Sequence, residues 1–322
     1  MKQRELGKTG LRVSEIGIGA WQLGGPLLLD GKADGHPDVG EAHAVDLIRR
    51  VGELGVNFID TAEQYGAGES ERRVGRAIRG RRDRWIVSTK WGAWRGPNGE
   101  RVNSVRPERL PVSLEGSLRR LGTDYIDVYL YHVHPGPGEA EQAAGALQRL
   151  RQEGKVRAVG MSTNDLAQCR WLHQLGILDV VQYAHNLVSV PCALIDWQRV
   201  VGAGGVVRGA FAGGRLSGRY FHAPPQFAPD DIRAARVPQD EAARAAEFAR
   251  YAVFDQWVTP ARSMTQLALR WLLDEPATHT IIIGAKTVAD YAHAIAAAAL
   301  PPLTPGERAG LSEAAATLQA AR

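Results

Sequence analysis

Four side chains of different chemical kinds stand where a sheet or barrel would bring them together: Asp60, Tyr65, Lys90 and His132. Asp60, Lys90 and His132 each end a short run of β-branched and aromatic residues, VNFID (56–60), RWIVSTK (84–90) and DYIDVYLYH (124–132), and Tyr65 follows Asp60 by five residues. As neighbouring parallel strands of a barrel, these runs would set their C-terminal ends side by side around one mouth. A buried Lys90 then needs a counter-charge, because stranding an ammonium costs several kcal/mol, and Asp60 is the candidate. A Lys cation beside a phenol favours the phenolate and is expected to lower the Tyr65 pKa from about 10 towards the range of a working general acid. Singly, each residue has a plain structural explanation: Asp60 as a helix cap, Lys90 as a surface charge, Tyr65 as a packed aromatic, His132 as a satisfied core histidine. Jointly, at adjacent strand ends, they make acid–base machinery.

The elements that must position them recur along the chain. A short apolar run, a polar loop and an amphipathic stretch of ten to fifteen residues repeat through IGIGA (16–20), the three runs above, VRAVGMS (156–162), DVVQY (179–183), GVVRG (205–209) and THTIIIGA (278–285). Continuous apolar runs indicate strands buried on both faces, and helical crossovers between them imply a parallel sheet. Eight units predict closure into a single (β/α)8 TIM barrel domain over residues 1–322. The competitor, an open doubly wound sheet, would carry G-x-G-x-x-G after its first strand. Here Gly17 and Gly19 are followed by a glycine only at Gly24, too late for that fingerprint. Two connections exceed ordinary loop length, 92–106 and 212–238, and are expected on the catalytic face, in reach of a ligand.

Composition sets the outer limits. The chain has 322 residues, 44% hydrophobic and 23% charged, with 39 Lys+Arg against 35 Asp+Glu. A net charge of +4, spread along helices, gives no basic stripe for nucleic acid. No apolar stretch reaches the roughly 18 residues of a membrane span, and the first twenty residues lack a signal-peptide core, so a cytoplasmic location is expected. Cys169 and Cys192 exclude a disulfide scaffold and are expected as free, buried thiols.

IDTAEQYGAGESERRVGRAI, STKWG, DYIDVYLYHVHP, VRAVGMSTND and VVQY resemble, in order and spacing, the signatures of aldo-keto reductases, and RELGKTGLRVSEIGIGAWQLGG resembles the family's N-terminal β-hairpin and first strand. The resemblance extends from about residue 2 to 300. It implies an NAD(P)H-dependent carbonyl reductase in which Tyr65 protonates the carbonyl oxygen, Lys90 and Asp60 tune Tyr65, and His132 orients the carbonyl. It also implies cofactor positions. Ser162 and Gln182 would hold the carboxamide, with Thr163 where the family commonly has Asn. Arg208 stands where an aromatic commonly stacks on the nicotinamide, and a guanidinium plane can also stack. Gly209, Ala210 and Phe211 would meet the phosphates through the backbone, and Arg219 the phosphate end. Gly284, Lys286 and Thr287 match the loop for a 2′-phosphate at a helix N-terminus. Asp290 and Ala294 depart from the family's usual Gln and Asn. Lys286 favours NADP, whereas an acidic residue near the ribose favours NAD; NADP is placed ahead.

Substrate candidates are aromatic or imidazole: Trp21 after the first strand, Trp91 and Trp94 after Lys90, and His134 after His132. The final stretch, LTPGERAGLSEAAATLQAAR, reads as a short Ala-rich helix, which leaves specificity to the two long loops. The expected partner is a small carbonyl or alcohol, with monomer and homo-oligomer both open and no bound metal. Rival readings remain. His132-Val-His134 is an H-x-H pair that a metal-dependent hydrolase could use; Lys90 could form a Schiff base in an aldolase; and a dinucleotide-binding regulatory subunit could keep the tetrad with little turnover.

Overall fold

Eight parallel strands close on themselves in the computed structural model, which describes residues 1–320. They are β1 (Ile16–Gly19), β2 (Phe58–Asp60), β3 (Ile86–Trp91), β4 (Ile126–Tyr131), β5 (Val156–Ser162), β6 (Val180–Ala184), β7 (Gly204–Arg208) and β8 (Thr280–Ile283). Each pairs with the next, and β8 returns to β1 with Ile281 opposite Ile16 and Ile283 opposite Ile18. The strands are the eight apolar runs of the sequence, and closure makes the fold a (β/α)8 barrel. The crossover helices are α1 (Glu41–Glu53), α2 (Glu69–Ile78), α3 (Arg109–Leu121), α4 (Glu139–Gln152), α5 (Leu166–Gln174) and α6 (Cys192–Val201). Two helices, α7 (Glu241–Ala249) and α8 (Met264–Leu273), separate β7 from β8, and α9 (Val288–Ala296) and α10 (Pro305–Ala320) follow.

Side chains alternate across each strand, which sorts the apolar residues into two layers. Phe58, Val128, Leu130, Ala158, Val180 and Val206 fill the barrel, where Leu6, Leu11 and Val13 join them. Those three come from the N-terminal hairpin, Gln3–Glu5 against Arg12–Ser14, which plugs the barrel. In β3 the same alternation sends Ser88 and Lys90 inward to Asp60, while Thr89 bonds Glu71 of α2 and Trp91 packs on Tyr131. Trp91 is fully buried in the strand–helix layer. The expectation that it faces substrate is therefore corrected: adjacent residues of a strand cannot both point into the mouth.

Segment 92–106 folds as a second hairpin, Ala93–Arg95 with Arg101–Asn103. Segment 212–238 contains only short helical turns and lies against a third long connection, residues 20–40, through the Ile232 N–H to the Gly35 carbonyl. That first loop carries the turn Trp21–Leu23 and a two-residue hairpin, and the sequence patterning did not single it out. Cys169 is buried as expected, but Cys192 is exposed, because it is the first residue of α6. No described helix is long and apolar enough to cross a membrane.

Candidate active site

Three strand ends and one turn converge at the barrel mouth. Lys90 Nζ donates to Asp60 Oδ2 at 2.6 Å, to the Thr61 carbonyl at 2.9 Å and to the Tyr65 hydroxyl oxygen at 3.1 Å, which uses all three ammonium hydrogens. Asp60 Oδ1 accepts from Ser88 Oγ at 3.0 Å and from Gln182 Nε2 at 2.8 Å. Tyr65 opens a turn in which Gly66 takes φ +58°, and a Cβ on Gly66 would lie 2.0 Å from the Gly24 carbonyl oxygen. Only glycine fits there, so the turn is drawn tightly against the first loop and the phenol is aimed inward. His132 follows β4 directly and meets the Tyr65 ring edge-on at 5.7 Å.

Protonation states follow from this packing. Burial would depress the Lys90 pKa, but Asp60 and Tyr65 outweigh it and the ammonium is held above its ordinary range. Burial also dominates at Tyr65, raising its pKa against the pull of Lys90, with Asp60 adding to the rise. The expected lowering of the Tyr65 pKa is thus corrected: in the free protein the phenol is held protonated. Burial, with Lys90, Arg208 and Arg101 nearby, holds His132 well below the usual histidine range, so it is a neutral imidazole at pH 7. His132 Nδ1 is buried with no partner among the described residues, which favours the tautomer with its hydrogen on Nε2, because a buried unpaired N–H costs more than a lone pair.

Around the tetrad, Trp21 stacks on Tyr65 at 5.6 Å and donates from Nε1 to the Asp34 carbonyl. Trp94 sits on the second hairpin beneath the Arg109 guanidinium, in a cleft shared with Val133 and His134. Exposed His134 bonds Thr163 Oγ1 at 2.8 Å, and that hydroxyl also accepts from the Asp165 N–H. The H-x-H pair therefore splits, with His132 at the phenol and His134 at Thr163. Gln182 is fully buried, with Oε1 receiving the Ser162 hydroxyl at 3.0 Å and Nε2 given to Asp60. It belongs to the Asp60 network, a role its position in β6 did not announce.

The cofactor candidates line the same rim. Arg208 ends β7 half-buried, and the exposed Gly209 follows with φ +70° and its carbonyl held by Asn186. Ala210 is buried, Phe211 half-buried, and Arg219 exposed beside the Tyr220 ring. Past β8, the Gln22 amide lies over Gly284, where a Cβ would come within 2.0 Å of it. Among the described residues the Lys286 ammonium reaches only the Pro37 carbonyl, at 3.4 Å, and burial holds it below the ordinary lysine range despite Asp231. Thr287 caps α9: its Oγ1 accepts the Asp290 N–H and donates to the Asp290 carboxylate at 2.6 Å.

Sequence reasoning missed Glu63, which lies between Asp60 and Tyr65 in number and is buried. Its Oε1 accepts the Gly92 N–H at 2.8 Å and the Ser113 hydroxyl at 3.3 Å, tying the tyrosine turn to the root of the second hairpin. Burial, reinforced by Glu71, raises its pKa to about 7 against the Gly92 and Ser113 hydrogen bonds. A carboxyl whose folded pKa is raised is neutral in both states at low pH and costs stability as it ionises in the unfolded chain while the fold still holds it neutral. Stability at this group should thus fall by about 3 kcal/mol as pH rises from about 5 to above 7. Glu63→Gln keeps an acceptor for Gly92 and should remove that decline. Thermal melts of both proteins at pH 5 and pH 8 check it: the difference should be confined to the higher pH.

The site is thus a phenol bonded to a paired lysine at the C-terminal mouth of a (β/α)8 barrel. The family model of the aldo/keto reductase family matches residues 15–316, and the chain belongs to that family. Aldo-keto reductase YhdN of Bacillus subtilis (strain 168) is 30% identical over 299 residues, 89% of this chain and 85% of the relative. Among solved structures, the glycerol dehydrogenase AKR11B4 from Gluconobacter oxydans superposes with a TM-score of 0.82 at 27% identity, covering 98% of this chain and 95% of that one. The holo form of aldo-keto reductase AKR11C1 from Bacillus halodurans gives 0.78 at 27%, covering 98% and 96%. The chain is an oxidoreductase of a family that uses nicotinamide cofactors and small-molecule substrates.

Proposed function

We propose that the protein interconverts an aldehyde or ketone and its alcohol with NADP(H), using Tyr65 as the proton donor in the reducing direction. The observation that carries this reading is the 3.1 Å contact between Lys90 Nζ and the Tyr65 hydroxyl oxygen, backed by the 2.6 Å pair with Asp60. A bound reduced nicotinamide supplies the hydride. Tyr65 gives its O–H proton to the carbonyl oxygen, and the electron pair left on the phenol oxygen is stabilised by the Lys90 N–H already aimed at it. Neutral His132 offers an N–H to the same carbonyl oxygen. Asp60, fixed by Ser88 and Gln182, keeps Lys90 charged and in place. Solvent returns the proton to Tyr65 between turnovers.

The residues on the rim fit a dinucleotide. Arg208 and Lys286 carry no carboxylate partner among the described residues, Gly209 leaves open space for close approach, and α9 begins at the same edge. Arg208, Gly209, Ala210, Phe211 and Arg219 would hold the nicotinamide and diphosphate side, together with the Ser162 hydroxyl. Lys286 would meet a 2′-phosphate. Asp290 is turned onto Thr287, away from free ribose-binding duty, which supports NADP over NAD. Removing one charge-assisted contact costs about 1.5–3 kcal/mol. Lys286→Ala should therefore weaken NADPH binding about 10- to 100-fold and NADH binding by less than about threefold. Titration of the quenching of tryptophan emission by each dinucleotide checks this. A panel of aldehydes, α-diketones, keto-sugars and ring ketones, followed at the nicotinamide absorbance, tests the reaction itself; no turnover of any member with either dinucleotide refutes it.

A further inference from the structure

We propose that Asp34, Gly35 and His36 form a clasp that makes the placement of Tyr65 depend on closure of the 212–238 loop over the mouth, with Asp34 and His36 as positioning residues for the proton donor. The inference rests on the role given to Tyr65 above and extends it to the control of that residue from outside the tetrad.

The three residues belong to the first loop, yet all are buried, where loop groups would ordinarily face water. Each is tied to a different part of the mouth. Asp34 Oδ2 accepts from Gln64 Nε2 at 2.6 Å, and the buried Gln64 immediately precedes Tyr65. Asp34 Oδ1 pairs with Arg101 of the second hairpin at 2.9 Å, and the Asp34 carbonyl accepts from Trp21 Nε1 at 3.2 Å. The Gly35 carbonyl accepts the Ile232 N–H at 2.9 Å. His36 Nδ1 faces the buried Asp231 carboxylate at 3.4 Å, and its ring meets Trp21 edge-on at 5.1 Å. Asp231 is fixed in turn by Arg233 at 2.6 Å, and Arg236 of the same loop lies 5.4 Å from the Trp21 ring centroid. A Cβ on Gly35 would come 2.5 Å from the Gly25 carbonyl oxygen, so the segment is pressed against the start of its own loop and has little room to shift. All three long connections and the tyrosine turn therefore meet at three consecutive residues.

Two arms run from this point to the phenol. One passes from the Asp34 carboxylate through Gln64 to the turn that bears Tyr65. The other passes through Trp21, held at Nε1 by Asp34 and at its edge by His36, to the stack on the Tyr65 ring at 5.6 Å. Lys90 fixes the hydroxyl end of Tyr65, and the clasp fixes the ring and its turn. The far side of the clasp, Asp231 and Ile232, lies in the connection that also carries Arg219 and follows Arg208–Phe211, the residues proposed above for the dinucleotide. A nucleotide that draws this connection over the mouth thus steadies Trp21 and Tyr65 through His36 and Asp34, and buried charge-assisted bonds transmit such a constraint with little slack.

Three variants test the clasp. Asp34→Ala removes the acceptor for Gln64 and Arg101 and should lower kcat about 10- to 100-fold, with the NADPH dissociation constant and the carbonyl KM changed by less than about threefold. Asp34→Asn keeps one acceptor and should recover part of kcat. His36→Phe keeps an edge-on ring at Trp21, loses the nitrogen facing Asp231, and should lower kcat at least about threefold. Hydrogen exchange followed by mass spectrometry reads the coupling without turnover. In the free protein Asp34→Ala should speed exchange in 61–68 and in 231–236. NADPH should slow exchange in 61–68 of the wild type, and that slowing should shrink at least about threefold in Asp34→Ala and His36→Phe. An unchanged kcat in Asp34→Ala, a loss confined to KM or nucleotide affinity, or identical NADPH protection of 61–68 in all the proteins overturns the proposal. If the wild type reduces no carbonyl, the role of Tyr65 falls while the exchange data still decide the clasp: faster exchange at both segments in Asp34→Ala supports it, and unchanged exchange refutes it.

Discussion

Tyr65→Phe should fold, bind NADPH with near wild-type affinity and lose carbonyl reduction by about 10²–10⁴-fold in kcat. The substitution deletes one oxygen. Lys90 keeps Asp60 and the Thr61 carbonyl, so the ammonium is not stranded, and the ring keeps its stack on Trp21. The stability cost should stay near the ~1 kcal/mol of a single hydrogen bond. What disappears is the donor for the developing alkoxide, an interaction made in the transition state, so the loss belongs in kcat and not in cofactor affinity. Steady-state rates, melting curves and nucleotide titration on the same preparation separate these three quantities. A variant with wild-type kcat would remove Tyr65 from the chemistry.

Asp60→Ala has the larger expected effect on stability. Lys90 is fully buried, its closest partner is Asp60, and burial works against its charge. Deleting the carboxylate leaves an ammonium facing a carbonyl and a phenol, and also strands the Ser88 hydroxyl and the Gln182 amide. Breaking a buried pair from one side costs about 3–5 kcal/mol, whereas replacing both partners by apolar groups is often close to neutral. The expected results are a drop of several degrees in melting temperature and loss of turnover for Asp60→Ala. In Asp60→Ala combined with Lys90→Met, much of the stability should return and none of the activity. Equal melting temperatures for Asp60→Ala and wild type would mean that the pair does not constrain the mouth.

The barrel was legible because its strands are buried on both faces, which makes each a continuous apolar run, and because a run repeated eight times with helical spacing has few ways to pack. The tetrad was legible for a related reason: Asp60, Lys90 and His132 end three consecutive runs, and parallel strands place their ends together. Trp91 was misread although the pattern held the answer, since two-residue alternation through Ser88 and Lys90 already turns Trp91 outward. The direction of the Tyr65 shift was not legible. It is a contest between burial and one cation, and only the packed structure weighs the two. Gln182 and Arg236 were hidden more deeply. Gln182 reaches Asp60 across 122 residues of sequence, and Arg236 reaches Trp21 only because the 212–238 loop folds back over the first loop. Contacts of that kind leave no periodicity in the chain.

The central claim is that hydride leaves a nicotinamide and reaches a carbonyl carbon while Tyr65 supplies the proton. Its most direct test is isotope transfer from NADPH carrying deuterium at both C4 positions of the nicotinamide, with products of the wild-type protein and Tyr65→Phe compared by mass spectrometry. The account predicts an alcohol carrying one non-exchangeable deuterium on the former carbonyl carbon with wild type, formed about 10²–10⁴-fold more slowly with Tyr65→Phe. An alcohol without the label, or the same labelling rate in both proteins, would contradict it.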